Sequence, residues 1–199
     1  MIEKILLATK NQGKIKELQD ILSNFNIKVL SLNDFNVEEP EETGLTFAEN
    51  SSLKAKYYGE LLNISAIADD SGLCVDELNN FPAIYSARLN NGNKDYCYAF
   101  NVLQLMLKYN NIEDFTAHFV CNISFYNNEN KTINSFEGNV YGKLQFPAKG
   151  DAGFGYDPIF VPDGYNKTFA ELGAIEKNKI SHRARALEKF VEWFDISKL

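Results

Sequence analysis

The stretch Ala66-Ile67-Ala68-Asp69-Asp70-Ser71-Gly72-Leu73-Cys74-Val75 constrains this chain more than any other. Small and apolar residues that read as a buried strand run into two adjacent carboxylates, and the Ser-Gly pair behind them predicts a turn. Burying carboxylates is costly unless a cation or hydrogen bonds compensate them, so a pair at the end of a core strand requires a partner. The rest of the chain must supply both a core for the strand and a partner for the charge.

A core is available. The 199 residues are 45% apolar, enough for one sizeable domain spanning residues 1–199, or for two lobes around a shared sheet. No apolar run approaches the roughly 20 residues of a membrane span. The segment from Met1 to Leu7 reads as a strand without a cleavage site, so a cytoplasmic protein with no membrane partner is expected. Cys74, Cys97 and Cys121 are odd in number and far apart, which predicts reduced, buried fillers. The net charge of -7 argues against a nucleic-acid partner, because phosphate binding over a large footprint needs a basic face. Positive charge must then be local.

Periodicity outlines an α/β chain. Lys4 to Ala8 reads as a core strand, followed by a helix from Lys14 to Leu22 with Ile15, Leu18, Ile21 and Leu22 at helical spacing. Thr46 and Glu49 form a capping box that starts a helix running to about Leu62, and the strand from Ser65 to Ala68 follows. A helix from about Asp95 to Tyr109 turns Phe100, Leu103 and Leu107 inward. From Phe115 to Phe125, aromatic and apolar residues alternate with Thr116, His118, Val120, Asn122 and Ser124, which predicts a strand with one face in the core. A turn at Asn127 to Asn130 returns the chain as a hairpin partner from Lys131 to Tyr141, and a helix from Ser181 to Phe194 closes the order. Parallel βα units together with a long hairpin imply a mixed sheet.

Seven groups of residues can carry chemistry, most with a plainer alternative. Thr9-Lys10-Asn11-Gln12-Gly13-Lys14 joins the first strand to the first helix, where a phosphate meets free amides and the positive end of the helix, or where an ordinary βα turn simply passes. It is not a Walker A loop, since Ala8 and Ile15 stand where that motif needs Gly and Ser or Thr. Asp69 or Asp70 can serve as a cap or turn residue. Alternatively Asp70 holds Mg2+ or polarises water, with Glu42 of the acidic run 38–42 as second oxygen donor, a ligand count that suits magnesium. Ser71 lacks a nucleophile elbow and suits a hydrogen bond to phosphate or a turn cap. Lys54 shares a helix face with Asn50, whether as a ligand or as a solvated lysine. Arg88 fits a structural ion pair or a ligand contact. In Gly153-Phe154-Gly155-Tyr156-Asp157-Pro158, two aromatics beside a carboxylate can hold a purine base, or Phe154 can be core. Lys177, His182, Arg183 and Arg185 crowd the start of the last helix against its dipole, a conflict that a bound acceptor or anion would relieve.

These blocks, taken in order with Glu42-Thr43-Gly44, Thr46-Phe47-Ala48-Glu49-Asn50, Lys54-Ala55, Tyr85-Ser86-Ala87-Arg88 and Ser181-His182-Arg183, resemble the inosine triphosphate pyrophosphatase family over nearly the whole chain. Two departures stand out: Ala83 replaces the glycine usual after the proline of the Tyr-Ser-Ala-Arg block, and Lys10 replaces a common glycine. The resemblance implies a two-lobed α/β fold around a long mixed sheet with a central substrate cleft, a homodimer, and Mg2+-dependent cleavage of ITP, dITP and XTP to monophosphate and pyrophosphate. It places the triphosphate on Thr9 to Lys14 and Lys54, the metal on Glu42 and Asp70, and the proposed general base on Asp70. Ser71 would touch the substrate, and Phe154, Gly155, Tyr156, Asp157, Lys177, His182 and Arg183 would line the base pocket. The rival readings are a pyrophosphatase for pyrimidine or modified triphosphates, and a sensor that binds purine triphosphates without cleaving them.

Overall fold

The computed structural model describes residues 4–22, 27–90 and 95–196. The side chains of Ile21 and Leu22, expected on the apolar face of the first helix, lie outside the described residues. Six strands form one sheet in the order β2-β1-β3-β4-β5-β6. Strand β1 (Lys4–Leu7) pairs parallel with both β2 (Lys28–Ser31) and β3 (Ala66–Val75), while β5 (Thr132–Leu144) pairs antiparallel with β6 (Phe160–Pro162). The sheet is therefore mixed, as the combination of βα units and a hairpin requires.

The chain groups into two compact units, the first made of Met1–Asp70, Cys121–Glu137 and Ala186–Leu199, the second of Ser71–Val120 and Gly138–Arg185. In the first unit, side-chain alternation sorts the core into two layers. Ile5, Leu7, Ile67, Cys121, Ile123 and Phe125 pack with α1 (Gln12–Leu22) and with α5 (His182–Ile196), the latter through Ala186, Leu187, Phe190 and Phe194. Leu6, Ala66 and Ala68 point the other way, toward Ala55 and Tyr58 of α2 (Phe47–Leu62). Phe190, Trp193 and Phe194, at helical spacing, meet Phe125 in a cluster whose centroids lie 5.8–5.9 Å from it.

The second unit has one core. Leu73 and Val75 of β3, Ala99, Leu103 and Leu107 of α3 (Cys97–Tyr109), and Phe119 of β4 (Thr116–Asn127) pack with Phe160 and with Phe169 of α4 (Phe169–Ile180). Thr168 and Glu171 close a capping box at the start of α4, and Gly173, at φ 77°, breaks its helical course.

Several expectations need correcting. The chain does not turn at Ser71-Gly72; β3 runs on to Val75. Strand β4 is buried on both faces from Phe119 to Phe125, because Asn122 and Ser124 bond to Ser51 of α2 at 2.8 and 2.7 Å and need no solvent. Thr46 caps α2 as expected, its hydroxyl accepting from Glu49 N, but the Glu49 carboxylate reaches one residue further back, to Leu45 N at 2.6 Å. Helix α3 starts at Cys97, whose amide donates to Asp95 Oδ1. Cys74 and Cys121 are buried and free, but Cys97 is exposed, and the adjacent Asp95 carboxylate pushes its thiol pKa up. Strand β2, strand β6 and helix α4 had no counterpart in the periodicity. No helix among the described residues is long and apolar enough to cross a membrane.

Candidate active site

The partner demanded by the two carboxylates is a pair of lysines, one on each side of the sheet. Neighbouring residues of a strand point to opposite faces. Asp69 follows Ile67 toward α1 and meets Lys14 Nζ at 2.7 Å, and Asp70 follows Ala68 toward α2 and lies 3.6 Å from Lys54 Nζ. Lys54 also donates to Glu42 Oε1 at 2.6 Å, so one ammonium bridges the loop carboxylate and the strand carboxylate. Its side chain is only 16% exposed, which rules out the solvated-lysine alternative. Nor is either Asp a cap: both lie inside β3, where their partners are cations.

The charges of this cluster shift one another's titration. Burial disfavours the Lys54 ammonium, yet the fields of Asp70 and Asp69 and the contact with Glu42 outweigh it and hold the pKa above the ordinary lysine value. Burial also raises the Asp70 pKa, helped by Glu42 and opposed by Lys54, by Asn50 and by Lys14. The described ion pairs thus join Asp69 to Lys14 and both Glu42 and Asp70 to Lys54. Among the described residues no group of three or more His, Cys, Asp or Glu side chains forms a self-sufficient metal cage. Glu42 and Asp70 fit the alternative, a Mg2+ ion that takes two carboxylates and completes its shell with substrate oxygens and water.

The loop from Thr9 to Lys14 leads into α1, and its amides are not free. Asn11 Oδ1 caps the helix by accepting from Gly13 N at 3.0 Å and Lys14 N at 3.2 Å, while Thr9 Oγ1 accepts from Asn11 N. A phosphate there meets the positive helix end but competes with Asn11 for the amides. Gln12 is exposed, and Lys10 pairs at 3.0 Å with Glu39 in the acidic run. Ser71 follows Asp70 within β3 and is half-buried.

The remaining candidates gather in the second unit. Asp157 is buried; its Oδ2 accepts from Phe154 N at 2.9 Å and from Lys177 Nζ at 2.5 Å. Burial raises the Asp157 pKa, while Lys177, the Phe154 amide and Arg183 pull it down. Gly153 has φ 80°, and any Cβ there would drive into the Asp157 carboxylate, so the turn needs glycine. The Phe154 ring is 46% exposed, with Lys177 Nζ 4.5 Å and Arg183 Cζ 5.9 Å from its centroid. It is therefore not a core residue. Gly155 packs near the Tyr96 ring, and Tyr156 is buried with its hydroxyl donating to Ser86 O at 2.9 Å. His182 is buried and stacked on Phe119 at 4.8 Å. Lys177 belongs to the last turn of α4, where a cation is favourable, which leaves His182, Arg183 and Arg185 in the first turn of α5, and Arg185 Nη1 donates to Asn139 O at 2.6 Å. Arg88 is exposed, over the Tyr85 ring at 5.2 Å.

A profile of the Ham1 family matches residues 5–193. The chain belongs to the Ham1 family. It is 45% identical over 198 residues to the dITP/XTP pyrophosphatase of Aquifex aeolicus (strain VF5), covering 94% of this chain and 95% of that one. To the dITP/XTP pyrophosphatase of Haemophilus influenzae (strain Rd) it is 46% identical over 192 residues, covering 94% and 96%. The HAM1 protein from Coxiella burnetii superposes with a TM-score of 0.92 at 36% identity, over 98% of this chain and 99% of that one. Two polar residues of this Ham1-family chain have contacts in the site that the motifs do not specify. Asp69 holds Lys14, and Asn50, fully buried, contacts Asp70 at 3.2 Å. Their signals were present: adjacent carboxylates in a strand must find separate partners, and Asn50 lies one turn before Lys54.

Proposed function

We propose that this chain is a nucleoside triphosphate pyrophosphatase that hydrolyses dITP, XTP and ITP to the monophosphate and pyrophosphate, clearing deaminated purines before they enter DNA or RNA. The observation that carries this reading is the near full-length similarity, at 45% and 46% identity, to two dITP/XTP pyrophosphatases. Residues 1–199 act as a single functional domain, and the enzyme is a cytoplasmic homodimer that uses Mg2+.

The chain's own groups divide the work. Thr9 to Lys14 and Lys54 take the triphosphate, through the α1 dipole and the ammonium groups of Lys10, Lys14 and Lys54. Glu42 and Asp70 hold the metal, and a bound Mg2+ supplies charge neutralisation on the phosphate oxygens. Asp70 is the catalytic carboxylate. Its proton affinity, raised by burial, suits it to accept a proton from the attacking water, and a bound metal would lower that affinity, so the two roles compete on one carboxylate. Ser71 offers a hydroxyl to the substrate. Phe154 gives the base a face, flanked by Gly155, Tyr156 and His182, while Lys177 and Arg183, the former held by Asp157, donate to the 6-oxo group of hypoxanthine or xanthine. Adenine presents a 6-amino donor there and leaves those donors unsatisfied, a penalty that in sites of this kind reaches about 10^4 to 10^5.

Incubation of the purified protein and Mg2+ with ITP, dITP, XTP, dGTP, dATP and TTP, with all products resolved, tests the reading. Monophosphate plus pyrophosphate from the deaminated purines is expected. Turnover confined to pyrimidine triphosphates, release of single phosphate, or tight binding without turnover would each overturn it.

A further inference from the structure

Asn50 is the second residue of α2 after Glu49 to reach back to the loop that carries Glu42. Its Oδ1 accepts from Gly44 N at 2.8 Å, and its Nδ2 donates to Asp70 Oδ2 at 3.2 Å. The residue is completely buried. With a donor on one side and a carboxylate on the other, only a neutral carboxamide satisfies both ends, and an apolar or acidic side chain leaves at least one buried group unpaired. The fit is close: a Cβ on Gly44 would lie 2.6 Å from Asn50 Oδ1 and 2.7 Å from Glu49 Cβ, so the loop presses against the first turns of α2 without room for a side chain. One turn later Lys54 grips Glu42 at 2.6 Å. Helix α2 thus fixes the loop at Glu42, Gly44 and Leu45 and fixes Asp70 at one oxygen.

We propose that Asn50 is a positioning residue for the pyrophosphatase reaction: its carboxamide registers the Glu42–Gly44 loop against Asp70 and reserves Asp70 Oδ2, so that Oδ1 alone is presented to a cation. The proposal rests on the assignment of Glu42 and Asp70 as metal ligands. A carboxylate that offers one oxygen suits Mg2+, which demands near-ideal octahedral geometry, better than it suits Ca2+, which accepts a bidentate grip. Groups that orient a metal ligand from behind are worth about 10–100-fold in metal affinity or activity.

The test uses the full-length protein, the Asn50→Ala and Asn50→Asp variants, dITP kinetics, Mn2+ binding to the substrate-free protein by electron paramagnetic resonance, and thermal melting. Asn50→Ala is expected to lower kcat and weaken Mn2+ binding by about 10–100-fold while leaving the KM for dITP close to wild type. Asn50→Asp keeps an acceptor for Gly44 N–H but sets an oxygen against Asp70, so it should lose at least as much kcat as Asn50→Ala. Near wild-type kcat in Asn50→Asp would confine the residue to holding the loop, and unchanged Mn2+ affinity in Asn50→Ala would remove it from the metal site; either result overturns the proposal. If the variants do not fold, the Asn50 side-chain amide signal in the 15N spectrum of the unsubstituted protein decides. It should move on titration with Mg2+, and a signal indifferent to Mg2+ overturns the proposal. Failure of the wild type to hydrolyse dITP would sink the pyrophosphatase reading separately, because the Mn2+ and amide measurements need no turnover.

Discussion

The two clusters are built on opposite charge balances. Around Lys54, the described ion pairs link three carboxylates (Glu42, Asp69 and Asp70) to Lys14 and Lys54. Around Phe154, one carboxylate, Asp157, stands with two cations, Lys177 and Arg183. The first cluster gathers carboxylates around a half-buried lysine; the second sets buried charged groups beside a half-exposed aromatic ring. The proposed division of labour, with a metal-bound triphosphate at the former and an oxo-purine at the latter, agrees with this contrast in charged groups.

Asp70→Asn breaks the first half of this contrast most severely. It keeps the shape and removes the charge, and kcat for dITP should fall roughly 10^3-fold, within the range general-base substitutions cost. The melting temperature should hold or rise, since burial already disfavours the ionised form. A variant with wild-type turnover would remove Asp70 from the chemistry. Lys177→Met breaks the second half. Leaving Asp157 buried without its ammonium should cost about 3–5 kcal/mol in urea unfolding, and adding Asp157→Asn should recover part of that loss. The preference for ITP over dATP should shrink in both variants if Lys177 reads the base.

Titration sharpens the comparison further. Because the Asp70 pKa is raised, the metal-free protein takes up a proton there more readily than the unfolded chain does. That contribution to stability is present at low pH and is lost as pH rises through the raised value. Mg2+ needs the ionised form, so its apparent affinity should drop by about tenfold per pH unit below that value, starting at a higher pH than an exposed aspartate would give. Affinity that is flat across the acid range would detach the metal from Asp70. The smallest effect belongs to neither cluster. Ala83 stands where relatives of the inosine triphosphate pyrophosphatase type usually carry glycine, and its φ of 48° is left-handed. Ala83→Gly should relieve about 1 kcal/mol of strain, raising the melting temperature by roughly 2–4 °C.

Legibility varied with how local each cause was. Thr46 as an N-cap and the α2 span could be read because caps and periodicity announce themselves within a few residues, whereas Lys54 joined Glu42 and Asp70 only through the family resemblance. The course of β3 could not: Asp69-Asp70-Ser71-Gly72 looks like a turn, and what holds it extended is compensation from Lys14 and Lys54, far away in sequence. Asn122 and Ser124 looked like a solvent face for the same reason, since their partner Ser51 lies on another element. Helix α4 escaped because Gly173 interrupts it, although Thr168 and Glu171 spell a capping box that could have been read. The Asn50 bridge joins three segments and carries no motif of its own, so only coordinates reveal it.

The alternation along β3 bears on how such a chain can change over time. Asp69 and Asp70 are chemically identical, and what separates their duties is parity: odd positions look toward Lys14, even ones toward Lys54. Gain or loss of one residue between Ala66 and Asp70 would hand each carboxylate the other's partner and leave the composition almost untouched. Substitutions can drift elsewhere in the sheet, but the length of this segment is locked, and a family that keeps the chemistry must keep the count.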